Sequence, residues 1–174
     1  SSSARPTKKP PAGIIAVLAT PEPSSNLQVR ETEKVASLLG IKLLTVVLQD
    51  SDYEKAFTNM TANKVNALFV LASPILNAGR DKIIQLAAKH RLPAIYEWPE
   101  HAEVGGMMAY GSSLAGLSRR VAWYVERILK GTKPADLPVE QPTRFELVIN
   151  LQTAKQIGTT IPPTLLARAD KVTR

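Results

Sequence analysis

The sequence predicts an α/β domain, a three-layer arrangement in which a parallel sheet carries helices on both faces. Continuous apolar runs of strand length recur along the chain, and helical segments of matching length separate them. Residues suited to starting or stopping helices stand at the joints. Strands without polar alternation are the kind buried on both faces, which a sheet between two helical layers requires.

Residues 1–12 are rich in Ser, Pro and Lys and lack an apolar period, so they are expected to form a disordered tail or linker. Residues 13–174 are expected to form a single lobe. Apolar runs at 14–19, 43–48, 67–72 and 94–96 are read as four strands and 107–110 as a fifth, with helices at 25–39, 52–62 and 78–91. Ser25 with Gln28, and Ser51 with Glu54, have the spacing of a capping box. Asp52 is then a first-turn acid favoured by the helix dipole. Gly40 suits a left-handed stop after the first helix, and Gly105-Gly106 suits a tight turn. His90 shares a face with Ile83, Leu86 and Ala87 and is expected to pack or cap at its helix end.

A further helix is predicted over 112–130. Leu114, Leu117, Val121, Tyr124, Val125, Ile128 and Leu129 recur at helical spacing, and Lys130-Gly131 ends the run. An extended Pro-Val-Glu-Gln-Pro segment follows, then a strand-like 145–149 and a short helix opened by Asn150.

Composition excludes several classes of function. The chain has 174 residues, 44% of them hydrophobic, enough for one buried core. No apolar run approaches the roughly 18–20 residues that span a bilayer, and no signal peptide precedes the first strand. Without cysteine there are no disulfides, thiol nucleophiles or thiolate metal sites. The net charge of +7 comes from 22 Lys and Arg against 15 Asp and Glu. Arg5, Lys8 and Lys9 lie in the first tail, Arg168, Lys171 and Arg174 at the far end, and the other cations are mixed with acids. No basic motif is interleaved with aromatics, so no nucleic-acid partner is expected.

In an open parallel sheet, ligands bind beyond the carboxyl ends of the strands. Those ends offer hydroxyls, amides, carboxylates and aromatic surface. Free amides around Ser24, Ser25 and Asn26 at the start of the first helix would form an anion site. Glu97 would pair with a ligand ammonium, and Tyr96, Trp98 and Tyr110 offer apolar surface. Thr20 and Ser73 complete the expected lining. No catalytic residue, metal or cofactor is expected: His90 and His101 are isolated, His101 reads first as a surface residue, and no phosphate-cradling glycine loop follows a strand. Ser73, His101 and Glu97 make a triad only on paper, without the turn motif that presents a nucleophile.

The run ILKGTKPADLPVEQPTRFELVINLQTAKQIGTTIPPTLLARAD over 128–170 resembles the C-terminal end of extracytoplasmic substrate-binding proteins of ABC uptake transporters. The nearest group is the tryptophan/tyrosine type, and the likeness extends back to about residue 14 through ETEKVASLLGIKL, NALFVLASPI and AAKHRLPAIYEW. It implies a lobe of the type I periplasmic-binding-protein fold, binding a small molecule such as an aromatic or branched amino acid and docking on an ABC permease. It also implies a periplasmic or extracytoplasmic location, with the leader and first lobe absent from this chain. In the resembling family the loop carrying Ser73 lines the cleft, and the 112–130 helix packs on the first lobe. With that lobe absent, the helix face is expected to form a homodimer, helix against helix or by exchange of the segment. The alternatives are a flavodoxin-like enzyme or nucleotide-binding domain, and a ligand-sensing regulatory domain.

Overall fold

The structure, a computed structural model, describes residues 13–141 and 144–173; the tail expected over 1–12 lies outside them. Among the described residues seven strands form one sheet: β1 (Ile14–Ala19), β2 (Lys42–Val47), β3 (Ala67–Val70), β4 (Ala94–Tyr96), β5 (Met108–Gly111), β6 (Glu146–Asn150) and β7 (Lys171–Thr173). Their order is β2-β1-β3-β4-β5-β6-β7. The first five are parallel, with Ile15 beside both Leu43 and Ala67, and Phe69 beside Ile95. β6 runs antiparallel to β5, and β7 parallel to β6. The sheet is therefore mixed rather than wholly parallel. The long excursion between β5 and β6 returns the chain beside its point of departure, so β6 enters from the edge that β5 leaves.

Among the described residues eight α-helices accompany the strands: α1 (Pro23–Leu39), α2 (Tyr53–Ala62), α3 (Pro74–Ala78), α4 (Arg80–Lys89), α5 (Pro99–Glu103), α6 (Leu114–Leu129), α7 (Leu151–Gln156) and α8 (Pro163–Leu166). α1 lies over the face carrying Ile15, Leu43, Ala67 and Phe69. The alternate residues Leu18, Leu68 and Val70 join Phe57 and Met60 of α2 and Ile83 and Leu86 of α4 in the main core. Phe57, Leu18 and Ile83 are fully buried, and burying a side chain of this size contributes about 1.5–3 kcal/mol. A smaller core joins Met107 and Ile149 to Ala154, Ile157 and Ile161 beneath the C-terminal segment.

Several helix boundaries differ from the expected ones for local reasons. α1 begins at Pro23, which fits the first turn because its missing N–H is not needed there; Glu22 precedes it and Ser25 does not cap. α2 is capped by Asp52, whose side chain accepts from the Lys55 amide, in place of Ser51. Asp50 and Ser51 both have positive φ, which turns the chain so that Asp52, not Ser51, reaches the helix amides. The helix expected over 78–91 is α4, which begins after Gly79, and a short unexpected helix, α3, capped by Ser73, precedes it. A side chain at Gly79 would meet the Tyr53 hydroxyl at 1.9 Å, so any larger residue at that joint has to displace the Tyr53 side chain. α5 was not expected, and β3 ends at Val70 rather than at residue 72. The left-handed Gly40 stop, the Asn150 cap on α7 and the Lys130-Gly131 end of α6 agree with the sequence.

α6 is the exception to the layering. Ser113 caps it, but it contains no buried residue. Arg120 forms a two-pronged ion pair with Glu140, and the Tyr124 hydroxyl donates to the Pro138 carbonyl at 2.7 Å. These contacts attach α6 to the returning segment, and Val121, Val125 and Ile128 stay exposed.

Candidate functional site

The strand order reverses at β1: β2 lies on one side of it and β3 on the other. At such a switch point the connections leave for opposite faces and open a crevice beyond the carboxyl ends of the two strands. Thr20 follows β1 there, and Ser73 follows β3. Both are buried, and their hydroxyls lie 3.4 Å apart. Each donates to one oxygen of the Glu22 carboxylate, Thr20 at 3.1 Å and Ser73 at 3.0 Å. Ser73 Oγ also accepts the Ile75 amide at 3.2 Å and so serves as cap and clamp together.

Gln28 fastens the same junction from within α1, donating to the Ala72 carbonyl at 3.0 Å and accepting the Ala72 amide at 3.1 Å. Ser25 is fully buried, and its Oγ accepts the Thr20 amide at 3.0 Å. The helical turn from Pro23 points Ser25 back toward the strand, which explains why neither Ser25 nor Gln28 caps the helix. Ser24 and Asn26 are exposed on the same turn. The expected set of free amides is smaller than predicted, because Ser25 and Asn26 both donate to the Glu22 carbonyl.

Farther along the edge, Glu97 follows β4 and is half-buried, and burial pushes its carboxyl above the usual carboxylate range. Gly111 at the end of β5 comes so close that a side chain there would meet the Glu97 carbonyl at 1.9 Å. Tyr110 does not reach over the edge. It lies on a sheet face and stacks on Phe145 with ring centroids 5.9 Å apart. Tyr96 belongs to the core, where burial raises its phenol.

His101 is buried rather than on the surface. Its Nε2 lies 2.9 Å from Asn77 Oδ1, its ring meets Tyr96 edge-on, and Nδ1 has no partner. Burial lowers its pKa first and Arg80 second, against an opposite pull from Glu100 and Asp81. It does not contact Ser73, so the paper triad does not assemble. His90 stacks on Phe57 at the end of α4, as expected of a packing residue. Among the described residues no three His, Asp or Glu side chains converge as a metal cage would need.

A second recess of about 320 Å³ lies between the start of α6 and the returning strand, lined by Ser113, Arg119, Arg120, Glu140 and Arg144 among others. Sequence reasoning missed it, together with Glu22 and Gln28. Glu22 two residues after a hydroxyl at a strand end was the available signal. The Arg120 and Glu140 pairing depends on a chain reversal that no local pattern reveals.

The family model for ABC transporter substrate-binding proteins matches residues 7–173. Among solved structures, the chain is similar to the "ABC domain" from Streptococcus pneumonia in complex with L-Trp, with TM-score 0.81 and 27% identity over 92% of this chain and 55% of that one. A conserved domain protein from Vibrio cholerae gives TM-score 0.82 and 27% identity over 94% of this chain and 56% of the other. The fold is also that of a ligand-free, open substrate-binding protein from Clostridium difficile, at 19% identity and TM-score 0.67. Among curated proteins no similar sequence was found. The chain spans 55–56% of the length of these structures, and among the described residues no helix is long and apolar enough to cross a membrane. With the family model matching almost the whole sequence, the chain belongs to the ABC transporter substrate-binding protein family.

Proposed function

We propose that this lobe forms one wall of the solute cleft in the extracytoplasmic binding component of an ABC importer, that its solute is an amino acid, and that the loaded form docks on the permease. The observation that carries this reading is the cluster of Thr20, Glu22 and Ser73 at the switch point of β1 and β3. A carboxylate held by two hydroxyls is oriented in advance, and orienting a ligand ammonium is a task for few, well-placed groups. The L-Trp complex of the S. pneumonia relative supports an amino acid as solute.

Within this reading Glu22 and Glu97 accept the ammonium, and the Ser24 amide with the exposed side chains of Ser24 and Asn26 faces the solute carboxylate. Trp98 flanks the space for a side chain. The chemistry in this reading is binding alone: the Ser73 hydroxyl is spent on the Glu22 carboxylate and on capping α3, and it has no hydrogen bond to a histidine of the kind that activates a serine nucleophile.

A single wall buries about half of a small solute, so affinity falls by tenfold for each 1.4 kcal/mol of contact left unmade, on the order of the arithmetic of binding constants. Titration followed by NMR suits such weak binding. L-tryptophan is expected to shift the backbone amides of Thr20, Ser73 and Glu97 in a saturable manner. Shifts confined to the opposite, amino-terminal edge of the sheet, or none with any amino acid, would overturn the proposal.

A further inference from the structure

The start of α6 is held by a residue of another helix. The first amides of an α-helix lack partners within it, and an acid in the first turn commonly answers them. α6 has no acid in its own first turn. Glu100 of α5 supplies one, its Oε1 accepting the Ser113 hydroxyl at 3.0 Å and the Ala115 amide at 3.4 Å. Ser113 Oγ in turn accepts the Gly116 amide at 3.3 Å, so the residue that Glu100 holds is the cap of α6.

α5 is a firm base for this contact. Its Pro99, His101 and Ala102 are buried, Asn150 of β6 donates to the Ala102 carbonyl at 3.0 Å, and His101 Nε2 lies 2.9 Å from Asn77 Oδ1 of α3. The residues leading into α5 also bear on the end of β5, where Gly111 lies against the Glu97 carbonyl with no room for a side chain. The crossing from β5 to α6 is thus gripped twice by one short segment, at Gly111 by Glu97 and at Ser113 and Ala115 by Glu100. One contact would leave the helix free to swing about it. Two contacts fix a direction.

We propose that Glu100 is a positioning residue whose carboxylate sets the direction in which α6 leaves the sheet. When that contact opens, α6 pivots at Ser112 as an intact helix and carries the segment joined to it through Glu140 and Pro138. Two observations make the contact one that opens. Both hydrogen bonds fall on Oε1, while Oε2 is buried without a hydrogen-bond partner among the described residues, and the desolvation of that oxygen offsets part of what the bonds contribute. Ser113 caps Gly116 with or without Glu100, so release does not unwind the helix. With Glu97 taking the solute ammonium, its carbonyl against Gly111 links solute to helix: a solute that draws Glu97 toward itself shifts one of the two grips. That link rests on the function proposed above; the hold of Glu100 on α6 does not.

Residual dipolar couplings of the backbone amides read the direction of α6 against the sheet. In the parent chain α6 and the strands are expected to fit one alignment tensor. In Glu100→Gln, which removes the charge and sets an amide group where the carboxylate was, they are expected to need separate tensors while α6 keeps its helical Cα shifts. Ser113→Asp tests the contact from the other side: aspartate still caps Gly116 but repels Glu100, so the helix persists and the common alignment is lost. Ser113→Thr keeps the hydroxyl and is expected to keep the parent's alignment. A merely structural contact would lower the unfolding midpoint and leave the alignment unchanged. One common tensor in both Glu100→Gln and Ser113→Asp, or separate tensors in the parent chain, would overturn the proposal. So would loss of the helical shifts in Glu100→Gln, which would make Glu100 a cap and nothing more. Saturating L-tryptophan is expected to redirect α6 in the parent chain and not in Glu100→Gln. Binding seen at Thr20 and Ser73 with α6 unmoved would refute the link to the solute, whereas no binding at all would refute the amino-acid reading and leave the solute-free couplings to decide the role of Glu100.

Discussion

The Ser73 hydroxyl lies 3.0 Å from the Glu22 carboxylate and joins two loops 51 residues apart in sequence. It holds the ends of β1 and β3 together while also capping α3. Ser73→Ala removes both functions and leaves Glu22 with one donor. A loss of about 1–2 kcal/mol is expected from an N-cap deletion of this kind, readable as a lower midpoint in urea with unchanged slope. Unchanged stability would show that the clamp contributes nothing.

Gly111 sits against the Glu97 carbonyl, with no room for a side chain. Gly111→Ala must push β5 away from the loop after β4, and overpacking at such a site costs about 1–3 kcal/mol. Thermal unfolding is the direct check. Gly131→Ala, where space is open but φ is positive, is expected to cost about 1 kcal/mol from backbone strain alone.

His101 makes stability depend on pH in a definite direction. Its folded pKa is lowered by burial and by Arg80, so near neutrality both folded and unfolded chains hold it uncharged. As pH falls below about 6.5, the unfolded chain takes up a proton that the folded one resists, and stability declines. His101→Gln is expected to flatten the stability curve between neutrality and mild acid. A parallel curve for the two chains would contradict the assignment.

Glu97 acts on binding with the opposite charge. Burial raises its pKa, so it loses its charge on acidification earlier than an ordinary carboxylate. Amino-acid binding is therefore expected to weaken as pH falls through that raised value, and Glu97→Gln is expected to bind several-fold more weakly at neutral pH with a flatter profile. Equal pH profiles by NMR titration would remove Glu97 from the site.

Much of the fold is legible because its signals are local. The apolar run of β1, the left-handed Gly40 after α1, the Asn150 cap and the amphipathic stripe of α6 each depend on residues within a turn or two of one another. The same locality explains the misassignments at the site. A Ser and Gln three apart near a helix start satisfy the capping pattern, yet the turn at Pro23 rotates Ser25 and Gln28 inward, where they bind Thr20 and Ala72.

What only the tertiary structure decided is where each residue's partner comes from. Glu22 gains its role from Ser73, His101 its burial from Asn77 and Tyr96, and β6 its direction from an edge that β5 leaves open. These partners are 24 to 51 residues away along the chain for the two hydrogen bonds, and no periodicity carries across such a distance. By itself the sequence determined that α6 is a helix with an apolar side, because helical spacing is set by backbone geometry. What covers that side depends on surfaces distant in sequence, which helical spacing cannot reveal, and among the described residues Val121, Val125 and Ile128 stay exposed.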